Sequence, residues 1–218
     1  MVAFLGAVLG LVVGSFLNVC IFRIPQKESI VFPASHCPLC GERLRRYPVV
    51  ELAAACGWAA ILAYYGLSAQ GLAGVFLFSL GLVITMIDLE HYIIPNSLAA
   101  LLLAAGILYC LSLPERPVVN SLWGFGSGFA VLFLLNLISR GGMGGGDIKL
   151  SAAMGVWLGV PGIFYALFIA ALAGSMVGLF LIVRGEKKRK DPIPFGPFLV
   201  SGLLTVFFVG EQMGLLYY

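Results

Sequence analysis

Apolar stretches long enough to cross a bilayer recur along almost the whole chain, near residues 2–22, 49–66, 71–88, 95–113, 118–139, 148–160, 161–183 and 196–216. A span takes about 20 residues, so eight of them use roughly 160 of the 218 available and leave only short loops. The expected fold is all-α and polytopic, with about eight transmembrane helices in one compact unit. Composition excludes the main alternatives. The chain is 61% apolar and 11% charged, against about 45–50% and about 25% in soluble domains. A net charge of +3 carried by so few groups makes no general basic surface, so nucleic acid is not an expected partner, and disorder is excluded as well. Membrane lipid is the expected surrounding.

The first five residues, Met1 to Leu5, carry no basic leader and no small-residue cleavage site, so the first stretch is expected to be a retained helix. Val160, Pro161 and Gly162 mark either a tight turn between two spans or a kink inside one helix. Charge decides for the turn. With eight spans and both termini outside, twelve of the thirteen basic residues lie on the inner side and only Arg116 lies outside. Merging the sixth and seventh spans would move Arg184, Lys187, Lys188, Arg189 and Lys190 to the outer face.

Two inner segments differ from the rest. Residues 23–48 form the longest loop and contain Cys37-Pro38-Leu39-Cys40, while Arg184 to Pro194 is a basic run that reads as an orientation anchor beside anionic headgroups. Of five cysteines, Cys20, Cys56 and Cys110 sit inside apolar runs, where free cysteine packs as a small hydrophobe, so no disulfide framework is implied. Gly6, Gly10 and Gly14, and the pairs Gly124/Gly128, Gly155/Gly159 and Gly174/Gly178, have the spacing that lets helices approach closely.

Chemistry concentrates in two aspartates. Asp88 ends the third stretch and Asp147 follows the run Gly141-Gly142-Met143-Gly144-Gly145-Gly146, both at membrane boundaries where a charge is costly and usually functional. Either one alone would serve as a helix cap. Together they suggest more, because two carboxylates within a few ångströms cannot both ionise and titrate as a unit. In that arrangement the ionised member activates water and the protonated member polarises a scissile carbonyl, with no cofactor required for proteolysis. A glycine run at Gly144, Gly145 and Gly146 lets backbone lie against an extended substrate; simple flexibility is the alternative. Glu90 and His91 read as solvated interfacial residues and Lys149 as a snorkelling lysine.

Gly144-Gly145-Gly146-Asp147 matches the Gly-x-Gly-Asp signature of intramembrane aspartyl proteases, and Asp147-Ile148-Lys149-Leu150 continues it as in prepilin peptidases, the type IV leader peptidases. Three further segments resemble that family: Gly10 to Pro25, Ser35 to Tyr47, and Pro194 to Leu199 at the start of its last helix. Asp88 with Ile94, Pro95 and Asn96 resembles its first catalytic motif. The presenilin branch is less similar, since Ile87 stands where it has tyrosine and no Pro-Ala-Leu triplet occurs.

The resemblance implies an aspartic endopeptidase of the bacterial cytoplasmic (inner) membrane, with its active site facing the cytosol. Its substrates would be type IV prepilins or pseudopilins, from which it removes the basic leader, and its dyad would be Asp88 and Asp147. On this reading 1–22 is the first transmembrane helix, 23–48 a cytosolic loop and 49–218 the peptidase helices. Many members also methylate the new N-terminus with S-adenosylmethionine, an activity this loop leaves open. Fuller members carry two Cys-x-x-Cys pairs suited to zinc. Here Cys37 and Cys40 stand alone as candidate metal ligands, the alternative being two free thiols in a turn. Nothing in the sequence sets an oligomeric state. A rival from another class is a small ion-coupled transporter or channel with the aspartates as its ion site, but no pair of corresponding broken helices reveals an internal repeat.

Overall fold

A computed structural model describes residues 1–30, 47–113, 117–140, 142–188 and 191–210. Among them are seven helices and no strand: α1 Val2–Gln26, α2 Tyr47–Tyr65, α3 Ala69–His91, α4 Asn96–Ser112, α5 Val118–Ile138, α6 Gly145–Val183 and α7 Gly196–Val209. By length and apolarity α1, α2, α3, α5 and α6 qualify as membrane spans, while α4 and α7 are shorter apolar helices. Large apolar side chains stand exposed on several of them, including Phe4, Val12, Trp123, Ile138, Phe168 and Val183. Surfaces of that kind suit lipid and not water.

Contacts divide the chain into two compact units, Met1–Ile87 and Asp88–Tyr218. Within the first unit α2 closes on α1 through the predicted small-residue seam. A Cβ at Gly10 would lie 2.7 Å from Ala54 O and Ala55 Cα, so glycine is what permits that approach. α1 also runs past residue 22 to Gln26, bringing Arg23 inside, where its Nη1 donates to Ser29 O at 3.0 Å. On the other side of α2, Trp58 Nε1 donates to Ser79 Oγ of α3 at 2.9 Å.

The second unit is built around the first half of α6. Ser151 Oγ donates to Gly128 O of α5 at 2.9 Å, and Trp157 Nε1 donates to Leu102 O of α4 at 2.8 Å. At Gly159 the backbone takes φ 69° and ψ −174°, a region essentially restricted to glycine. Neighbours then repeat in reverse. Before this point Gly155 and Ser151 lie against Gly124 and Gly128; after it Ile163 returns beside Gly128, and Ala166, Gly174 and Gly178 meet Gly202, Phe198 and Ile193. α6 is therefore two antiparallel halves. They correspond to the predicted segments 148–160 and 161–183, with the reversal at Gly159, one residue before the expected Val160. Asn120 explains the position: its Oδ1 accepts from Val160 N–H at 3.1 Å and starts the second half.

Gly159→Ala should lower the melting temperature of the detergent-purified protein. The new Cβ would sit 2.6 Å from Asn120 Nδ2, and the backbone strain alone is worth about 1–3 kcal/mol. An unchanged melt would show that the turn tolerates a side chain.

Candidate active site

Asp88 and Asp147 both belong to the second unit, at the end where α6 and α7 begin. Asp88 lies one turn inside the C-terminus of α3, which continues to His91 and not merely to residue 88 as the sequence suggested. The side chain is only 4% exposed. Gly196, in the first turn of α7, donates its backbone N–H to Asp88 Oδ2 at 2.7 Å. Backbone donors at a helix N-terminus favour an anionic partner, so the Gly196 N–H suits the Asp88 carboxylate.

Asp147 sits in the first turn of α6 and is half-buried. It is not the N-cap; Gly144 holds that position, and the Asp147 carboxylate accepts from Gly144 N–H. The two aspartates lie within electrostatic reach of each other. Two separate chain segments thus bring one carboxylate each within electrostatic reach of the other, each held by a backbone donor from a helix start.

The three glycines before Asp147 are not equivalent. A Cβ at Gly146 would lie 2.9 Å from Ile94 Cβ and 3.2 Å from Ile94 O, and one at Gly144 would lie 2.9 Å from Asp147 Oδ2, whereas nothing stands within 4 Å of one at Gly145. Gly146 lets the start of α6 pack on the Tyr92–Pro95 connection; Gly145 borders open space. Glu90 and His91 are solvated and face each other at 3.9 Å. Lys149 does not approach Asp147, since two residues on a helix are about 200° apart; its Nζ donates to Asn96 Oδ1 at 2.8 Å.

Two features escaped the sequence reading. Gly196 acts through its N–H, and the segment Pro194 to Leu199 identified its neighbourhood without its role. Tyr92, at φ 54°, lies under Lys187, whose Nζ is 3.4 Å from its hydroxyl, so the basic segment returns to the dyad end. Cys37 and Cys40 fall outside the described residues. Among the described residues no three His, Cys, Asp or Glu side chains cluster as metal ligands.

Residues 75–179 match the type IV leader peptidase family, and residues 8–53 match the bacterial peptidase A24 N-terminal domain. Among curated proteins, the prepilin leader peptidase/N-methyltransferase of Burkholderia pseudomallei (strain 1026b) is 33% identical, over 96% of this chain and 86% of the relative. That of Bacillus subtilis (strain 168) is 30% identical over 94% of each. That of Neisseria gonorrhoeae is 30% identical over 96% of this chain and 91% of the relative. The first alignment runs over 268 residues against 218 here, so that relative carries additional residues within the matched span. No solved structure matches the chain.

Gly146→Ala should destabilise the purified protein by about 1–3 kcal/mol, the usual cost of overpacking, whereas Gly145→Ala should melt as wild type. Equal melting of the two variants would remove the packing role assigned to Gly146.

Proposed function

Since this chain belongs to the type IV leader peptidase family, we propose that it cleaves the basic leader from type IV prepilins or pseudopilins, with Asp88 and Asp147 as the catalytic pair. The observation that carries this reading is the approach of two carboxylates from separate segments, one of them buried and held by Gly196 N–H. One member, ionised, takes a proton from a water whose oxygen attacks the scissile carbonyl carbon. The other, protonated, gives its proton to the carbonyl oxygen, forming a neutral tetrahedral diol. Collapse breaks the C–N bond, a proton passes to the departing amine, and the pair regains its shared proton. Asp147 is the more accessible member and meets the water and the substrate first. Open space at Gly145 admits the extended substrate backbone, and the N–H groups of Gly145 and Gly146, which precede the first intrahelical bond of α6, supply its hydrogen bonds.

Methylation of the new N-terminus from S-adenosylmethionine belongs to the same proposal, as the names of the relatives suggest; no described residue is assigned to it. Cys37 and Cys40 are proposed as zinc ligands, with no step of proteolysis routed through the metal. The same proposal puts the protein in the bacterial inner membrane with its dyad facing the cytosol. Support comes from the basic residues Arg140, Lys149, Arg184, Lys187 and Lys188, which lie in or beside the segments at the dyad end, each worth about 1 kcal/mol near anionic headgroups.

Purified protein in detergent should cut a prepilin peptide, whereas an ion-coupled transporter would need sealed vesicles. Asp88→Asn and Asp147→Asn should each lower the cleavage rate at least about 10²–10⁴-fold with normal membrane insertion. Gly196→Ala should also slow it, because the added Cβ would stand 2.8 Å from Asp88 Oδ2. Near wild-type turnover of either Asn variant removes that residue from the dyad. Cleavage should persist in a metal chelator, and mass spectrometry of the product reports any added methyl group.

Orientation has its own test. In a background lacking the native cysteines, Ser97→Cys and Ser139→Cys should react with an impermeant maleimide only after the inner membrane face is opened, and Glu115→Cys should react from outside in intact cells. External labelling of Ser139→Cys would overturn the cytosolic dyad.

A further inference from the structure

α4 and α5 each pack on α6 but barely on each other. The gap between them holds two cavities of about 300 and 320 Å³, which share Leu103 and Phe125 as walls and so form one groove. Its floor is α6, through Ala152 and Val156. At the dyad end the groove is bordered by Asn96 and Lys149. Toward the far end it is bordered by Cys110 and Ser121, whose Sγ and Oγ meet at 3.2 Å. Lys149 is the only charged residue bordering either cavity among the described residues, and the rest of the lining is almost wholly apolar.

We infer that this groove seats one acyl chain of an anionic phospholipid, with the lipid phosphate on the Lys149 ammonium. Charge and length select this occupant: one cation at the dyad end of an otherwise apolar groove matches a single anionic headgroup above one acyl chain. A hydrocarbon chain crosses one leaflet, about 15 Å, which on α4 is the rise from Asn96 to about Ile107. The Lys149 ammonium has three donors, of which Asn96 Oδ1 takes one; the others, with the Asn96 NH₂ group, face a phosphate. Lys149 lies at the membrane boundary where headgroups stand, and it projects from the side of α6 opposite Asp147. The lipid therefore does not enter the dyad.

The test uses the full chain, reconstituted with equal phosphatidylglycerol and phosphatidylcholine, extracted in mild detergent and weighed by native mass spectrometry. One phosphatidylglycerol per chain should be retained over phosphatidylcholine, and added inorganic phosphate should not displace it. Lys149→Met and Ala100→Trp, the second filling the groove, should each reduce retention at least about tenfold, while Lys149→Arg and Lys188→Met should not. In the wild-type chain, phosphatidylglycerol with a photoreactive acyl chain should label peptides containing Leu103 or Phe125. Equal retention of both lipids, unchanged retention in Lys149→Met and Ala100→Trp, or label spread evenly over outward helix faces would each overturn the site. None of these readouts depends on leader cleavage.

Discussion

A carboxylate at the end of an apolar helix has no water on the lipid side and must find its donors in the protein. For Asp88 the donor is the N–H of Gly196, 108 residues further along the chain. Much of the second unit can be understood as the means of delivering that group. α7 starts beside Asp88 because the second half of α6 runs back along it, and that half runs back because Gly159 reverses the chain. Asp147 arrives at the same place by a shorter route, in the first turn of α6, with Gly146 packed on Ile94. Two backbone donors, from Gly196 and Gly144, then hold the two carboxylates.

Lipid tails are as apolar as leucine, so packing between these helices draws little from the hydrophobic effect and depends on close contact and hydrogen bonds. The structure is consistent with that constraint. Gly124 and Gly155 bring α5 and α6 together at backbone distance, and Ser151 and Trp157 use their polar atoms to tie α6 to carbonyls of α5 and α4. Aromatic contact finishes the far end, where Trp157 stacks on Tyr109 with centroids 5.0 Å apart and meets Phe207 edge-on at 6.0 Å. The dyad end carries the glycines and charges, with the Phe195–Phe198 pair at the start of α7, centroids 6.3 Å apart.

Much of this was legible in the chain itself, because the terms that decide it are local. Apolar length marked the helices, and the cost of a charge at a membrane boundary singled out Asp88 and Asp147. The reversal near residue 160 was readable from Val160-Pro161-Gly162 and from the basic run that follows. Its placement at Gly159 was not, because Asn120, the side chain that starts the returning half, stands on another helix. Gly196 was hidden for a related reason: its contribution is a backbone N–H, which every residue but proline has, and only the tertiary fold aims it. Gly144, Gly145 and Gly146 look alike in sequence and differ only in their neighbours. The expectation for Cys37 and Cys40 lies outside the described residues.

The first turn of α6 shows how close spacing can separate two tasks. Asp147 and Lys149 are opposite charges two residues apart, and in solution they would be natural partners. On a helix they point about 200° apart, one toward Asp88 and the other toward Asn96 and the α4–α5 groove. Had the lysine followed at four residues, the ordinary helical ion pair would have occupied the carboxylate that the proposed chemistry needs. Spacing by two leaves Asp147 to its aspartate neighbour and turns the cation toward Asn96 and the groove. The same helix start thus turns a carboxylate toward Asp88 on one face and an ammonium toward Asn96 on the other, and the helix backbone keeps them apart.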